Sequence, residues 1–196
     1  MGRIDADKMY DIVMQWDWGN SGNPEVYHDT ETRKNGITYR SNLARLAETL
    51  LAENKLEKAE HILDLAMEKM PVALFEYYSL LEPYVSGYYA VNNSEKARKL
   101  FQEVAKKYQE NLIYYSGLQL ERQYNLAKEI FSNMERYRAL VDVIILNDTE
   151  TYAIQEAEIF NSYLQKFSAF YGEDEGISPN NNTPESDSLK EGDTTL

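Results

Sequence analysis

Apolar residues recur along most of the chain at spacings of three and four, the pattern of helices that bury one face. Met9, Ile12, Val13 and Trp16 share a face of a short helix running from Ala6 to about Trp16, with Asp5 placed to cap it. Leu43, Leu46, Ala47, Leu50 and Leu51 predict a second helix over 37–53. Leu56, Ala59, Ile62, Leu63, Ala66 and Met67 predict a third over 56–70, which Pro71 stops. Residues 73–91 also read as helix, but Pro83 would remove the bond to the Ser79 carbonyl and kink it. Asn92, Asn93 and Ser94 form the next turn and cap. A helix follows from Glu95 to near Gly117, with Leu100, Phe101, Val104 and Tyr108 inward. The longest predicted helix covers 120–146, roughly 40 Å at about 1.5 Å per residue, with Tyr124, Ala127, Phe131, Met134, Val141 and Ile145 on its inner face. Asn147 to Thr149 end it, and a last helix over 150–171 carries Ile154, Ala157, Phe160, Leu164 and Phe167. Strand-like alternation is nearly absent, so the pattern predicts an all-α protein of about seven helices with a long C-terminal pair.

Two of these helices form a recognisable unit. In "LARLAETLLAENKLEKAEHILDLAMEKMP" (43–71), Leu43 and Leu46 occupy large apolar sites and Ala47 a small one, and Leu50 stands where a tyrosine is usual. Ala59, Leu63, Ala66 and the terminating Pro71 complete a tetratricopeptide-like register, in which small residues let two backbones cross closely. A weaker copy starts about 38 residues later, with Tyr84, Tyr88 and Tyr89, then Ala97, Phe101 and Val104. Val85 replaces its small residue and Gln109 its proline. Stacked hairpins of this kind share a core and leave a concave face suited to a peptide. The chain therefore divides into an N-terminal helix with an aromatic, glycine- and asparagine-rich loop (1–36), a tetratricopeptide-like helical domain (37–171) and an acidic tail (172–196). The tail has seven acids, one base and few large apolar residues, so it is predicted to be disordered.

Charge narrows the partners. Of 196 residues, 33 are acidic and 20 basic, a net charge of −13, and no basic stripe follows a helix face. Nucleic acid is excluded on that ground, and an anionic membrane surface is disfavoured. With 43% hydrophobic and 12% aromatic residues the chain can build a core. It has no cysteine, which removes thiol catalysis, thiolate zinc sites and disulfides. No apolar run is long enough to span a bilayer and the N-terminus lacks a signal core, so the chain as given is predicted to be soluble.

The order of features resembles the soluble C-terminal region of a bacterial family of multi-spanning membrane proteins, a domain-of-unknown-function family similar to protein O-mannosyltransferases. The residues that carry the resemblance are "DKMYDIVMQWDWGN" (7–20), "VYHD" (26–29), "YRSNLARLAETLL" (39–51) and "KAEHILDLAMEKMP" (58–71). It spans roughly residues 3–170 and is best before residue 71. The resemblance implies an extracytoplasmic, periplasmic domain, tethered to the inner membrane through the membrane-embedded part of its own parent chain. The acidic residues that transfer sugar in such a parent lie outside this region, so the domain alone is expected to be non-catalytic. The alternative is a free-standing tetratricopeptide adaptor that binds a peptide.

Candidate chemistry is sparse. The stretch "WDWGNSGNPEVYHD" (16–29) holds both tryptophans. As a calcium loop starting at Asp17 it has Gly22 at the sixth place, but Gly19 at the third and His28 at the twelfth, where a bidentate glutamate is required. As a catalytic loop it offers His28 beside Asp29 with no nucleophile near in sequence. A structural corner fits better, with Trp16, Trp18 and Tyr27 packing the loop onto the first hairpin and Gly19 and Gly22 permitting tight turns. Glu57, Glu60 and His61 lack the second Glu-x-x-His element a carboxylate-bridged metal site needs. Among the tyrosines, Tyr88 and Tyr89 fall at core positions. Trp18, Tyr27, Tyr77, Tyr78 and Tyr114 are the candidate partner-binding residues, for a protein or peptide or for glycan, since aromatic rings give contact area at low entropy cost. No metal, cofactor or catalytic residue is predicted. In the tail, "DSL" (187–189) and "DTT" (193–195) resemble acceptor triplets for extracytoplasmic O-glycosylation.

Overall fold

The computed structural model describes residues 5–168, and the acidic tail with its triplets lies outside them. Among the described residues the chain is all-α, with nine helices and one 3-10 turn. These are α1 (Ala6–Val13), α2 (Thr30–Ala52), α3 (Leu56–Lys69), α4 (Val72–Phe75), a 3-10 turn (Tyr78–Leu80), α5 (Glu82–Ala90), α6 (Ser94–Ser116), α7 (Leu120–Asn125), α8 (Ala127–Asn147) and α9 (Glu150–Gln165).

Three antiparallel hairpins, α2/α3, α5/α6 and α8/α9, stack in order. Helix α5 packs on both members of the first hairpin, and α8 on both members of the second. Within the first hairpin the small residues Ala47 and Ala59 are buried where α2 and α3 cross. Gly87 of α5 lies against Leu63 of α3, where a Cβ would come within 3.0 Å of a leucine methyl. Both of the first two hairpins turn the same way. Asn54 and Asn92 adopt the left-handed conformation (φ 58° and 62°). The next residue's amide then reaches back, Lys55 N to Leu50 O at 2.8 Å and Asn93 N to Tyr88 O at 2.9 Å. Asparagine tolerates this helix-ending conformation better than most residues, and using it twice gives the two units the same corner.

Several boundaries differ from the sequence expectation. Helix α1 stops at Val13, so Ile12 is exposed and Val13 carries the buried contact. Helix α2 begins at Thr30, not Ile37, because the Asp29 carboxylate accepts the Thr32 amide at 2.7 Å and caps it. The boundary drawn at residue 36 therefore falls inside a helix. Gly36 is buried in that helix, with Phe75 of α4 in the space a Cβ would occupy, 2.7 Å away.

Residues 73–91 do not form one kinked helix. The chain leaves α4 through Glu76 and Tyr77, both at positive φ (54° and 42°). Pro83 then sits in the first turn of α5, where its missing N–H costs no bond. The long helix over 120–146 is likewise two helices, broken at Leu126. The restart turns a different face inward: Ile130, Tyr137, Leu140 and Ile144 are buried beside the expected Met134 and Val141, whereas Tyr124 and Phe131 are exposed. In α9, Ala153 and Glu156 face inward and Ile154 is exposed.

Candidate partner-binding surfaces

The aromatic loop closes a corner between α1, α2 and α3. Trp16 and Trp18 meet at 5.5 Å between ring centroids, and each meets Tyr39 of α2 at 5.7 Å in edge-on geometry. Gly22 passes so close to the end of α3 that a Cβ would lie 2.2 Å from the Glu68 carbonyl oxygen. His28 is part of the packing: its ring lies 4.8 Å from Phe75 and its Nε2 is 2.9 Å from the Ser21 carbonyl. Tyr27 takes no such role. It is 85% exposed, so the expectation that it packs the loop is overturned. Its neighbour Val26 is half-buried. A slot of about 290 Å³ borders this corner, lined by Met14, Trp16, Trp18, Gly19, Leu65 and Lys69.

The turn before α5 is held by two arginines of α2. Arg40 is fully buried and donates to three backbone carbonyls, Met70 O at 2.8 Å, Pro71 O at 3.3 Å and Glu76 O. Burial pulls its guanidinium down to about 10, and the Tyr84 and Glu103 charges oppose the shift. Arg33 pairs with the Glu76 carboxylate at 2.8 Å. Together they fix the strained Glu76–Tyr77 backbone, which would otherwise cost of order 1–3 kcal/mol per residue. Tyr77 follows directly in that turn, part-buried. Tyr78 packs edge-on to Tyr108 at 4.9 Å, and Asn111 Nδ2 donates to its hydroxyl at 2.6 Å. Burial raises that hydroxyl above its ordinary range.

Tyr88 and Tyr89 are core residues with paired hydroxyls. Tyr88 donates to Asp64 at 3.0 Å and Tyr89 donates to Asp148. Tyr114 lies in the last turn of α6, 64% exposed, with its ring against Tyr115. The five candidate residues therefore occupy separate places: Trp18 at the aromatic corner, Tyr27 on the loop surface, Tyr77 and Tyr78 at the strained turn, and Tyr114 at the end of α6. Glu57, Glu60 and His61 also part company. The His61 Nδ1 lies 2.8 Å from the Tyr10 hydroxyl of α1, whereas Glu60 accepts from Asn93 and Lys96 of the second hairpin.

The feature least visible in the sequence is a groove of about 310 Å³ between the first and second hairpins. Met67, Val72 and Leu100 give it an apolar floor, and Asp64, Lys96 and Lys99 stand on its rim. Lys96 ties one end shut by donating to Glu60 at 2.8 Å and to Asp64 at 2.7 Å. Those bonds lower the Glu60 carboxyl below its usual range and raise the Lys96 ammonium. Of the described helices, none is long and apolar enough to cross a membrane. Comparison of the chain with protein-family models, with characterised proteins and with solved structures finds no match in any of the three.

Proposed function

We propose that this chain is a non-catalytic helical-repeat interaction domain of tetratricopeptide type, which holds a protein or peptide segment between its stacked hairpins. Glycan is the other ligand class its exposed aromatic rings suit. The observation that carries this reading is the inter-hairpin groove. It combines an apolar floor with a charged rim, the chemistry of a site that buries one or two apolar side chains and orients them with polar contacts. The repeated left-handed asparagine corner and the small-residue crossings support the repeat assignment. The resemblance in residues 7–71 supports a place as the extracytoplasmic C-terminal part of a membrane glycosyltransferase-like protein, beside its membrane-embedded region.

The reading frame upstream of Gly2 tests the parentage. Hydrophobic segments of spanning length upstream support the membrane parent, and a stop codon there overturns it in favour of a free-standing adaptor. An assay of the purified chain with lipid-linked sugar donors tests the rest. Turnover by the chain alone would overturn the non-catalytic reading.

A further inference from the structure

A second opening, about 170 Å³, lies where the second and third hairpins meet, and its charges are uncompensated. Tyr78 and Glu82 form one wall, Arg136 and Leu140 of α8 form the other, and the buried Val104 and Tyr108 of α6 lie beneath. Among the described residues, neither Glu82 nor Arg136 has a hydrogen bond or an ion pair. Glu82 is half-buried, and the charge that acts on it is of like sign, Glu48 of α2. Burial and that neighbour together push its carboxyl above the ordinary range. Arg136 is exposed, and its field reaches the hydroxyls of Tyr78 and Tyr108. A carboxylate that loses hydration without gaining a cation is destabilised until a partner supplies one.

The volume is below the roughly 300–1,000 Å³ of pockets for drug-sized ligands and suits a single long side chain. We propose that this opening receives a mixed-charge peptide segment of a protein partner: a lysine or arginine side chain enters past Tyr78 to meet Glu82, and a nearby acidic side chain pairs with Arg136. The proposal rests on the interaction-domain reading but assigns a different surface from the groove of the first two hairpins. Complementary charge on both walls sets the order of the two partner residues, and the tyrosine ring face adds attraction for the entering cation.

The test uses the full chain and short fluorescently labelled peptides: one with adjacent lysine and glutamate, one with lysine only, one with glutamate only and one uncharged. The mixed peptide is expected to bind about tenfold or more tighter than the others. Glu82→Gln and Arg136→Gln are each expected to weaken it by about tenfold. Both side chains are unpaired in the fold, so the melting temperature should hold while affinity falls. Exchanging the two charges, Glu82→Arg with Arg136→Glu, should restore binding to a peptide whose lysine and glutamate are in reversed order. Equal binding of the lysine-only peptide overturns the role of Arg136. Unchanged affinity in both single variants overturns this site and leaves the interaction-domain reading standing. Binding of free lysyl-glutamate as tightly as the peptide would put a small zwitterion, not a protein segment, in the opening. No binding by any peptide overturns the proposal, and the groove is then judged separately by its own blocking variant, Met67→Glu.

Discussion

Arg98 of α6 grips Asp148, the residue that joins α8 to α9, with both ends of its guanidinium fork. Its Nε donates to one carboxylate oxygen at 2.7 Å and a terminal nitrogen donates to the other. The Asp148 side chain is 2% exposed, and it also accepts from the Tyr89 hydroxyl and the Thr149 amide. The same guanidinium sits 4.7 Å from the Tyr152 ring centroid. One carboxylate thus fastens the third hairpin to both helices of the second.

Asp148→Asn should therefore cost about 2–3 kcal/mol at neutral pH, because it leaves the arginine without its charged partner. Urea denaturation measures this. The pH dependence has a definite sign. The hydrogen bond from Arg98, then those from Tyr89 and Thr149, hold the Asp148 carboxyl well below its usual 3.8. A depressed carboxyl stabilises the fold above its unfolded value, and that stability is lost as pH falls towards the folded one. The gap between wild type and Asp148→Asn should accordingly shrink from about pH 5 downwards.

Arg40→Met should be among the most damaging single changes, at about 3 kcal/mol or more. It keeps the volume but leaves the carbonyls of Met70, Pro71 and Glu76 without their donor. Arg40→Lys should recover only part of the loss, since an ammonium cannot present two separated nitrogens. Thermal unfolding of the two variants beside wild type decides the order.

Two glycines of one loop should behave differently. Gly22→Ala drives a Cβ into the Glu68 carbonyl and should cost about 2 kcal/mol or more. Gly19→Ala meets open space and pays only for its positive φ, about 1 kcal/mol. A reversed order of melting temperatures would contradict the corner as described.

Trp18→Ala should remove packing against Trp16 and Tyr39 and lower stability by about 2–3 kcal/mol, whereas Tyr27→Ala should stay within about 0.5 kcal/mol. Near-ultraviolet circular dichroism provides an independent check, because only the first change should flatten the tryptophan bands.

Pro83→Ala should be close to neutral, within about 1 kcal/mol, although a proline in a helix interior would have been worth far more when replaced.

Much of this fold could be read from the chain because short-range chemistry decides it. Asp5 caps α1, Pro71 ends α3, and Asn92 and Asn93 turn the second hairpin and cap α6, all through contacts a few residues apart. The misreadings have both local and distant causes: the Asp29 cap that starts α2 and the first-turn place of Pro83 are local, whereas others depend on a partner far along the chain. The first turns of α2 are polar, and nothing nearby explains Gly36, whose reason is Phe75. The break at Leu126 changes which face of α8 is buried, and a regular track through Tyr124, Ala127 and Phe131 continues across it without a mark. Tyr27 looked like an anchor by its type alone. The candidate surfaces were harder still. Met67 and Leu100, or Glu82 and Arg136, acquire meaning only when hairpins far apart in sequence are stacked.

The first turns of α6 bear more than their share of the assembly. Asn93 and Lys96 reach back to Glu60 and Asp64, and Arg98 reaches forward to Asp148. Arrays of hairpins ordinarily come apart from their ends, since each unit touches only its neighbours. Here the middle is the keystone: loosening residues 93–98 would release both outer hairpins at once, so the three should protect their amides from solvent exchange as one block.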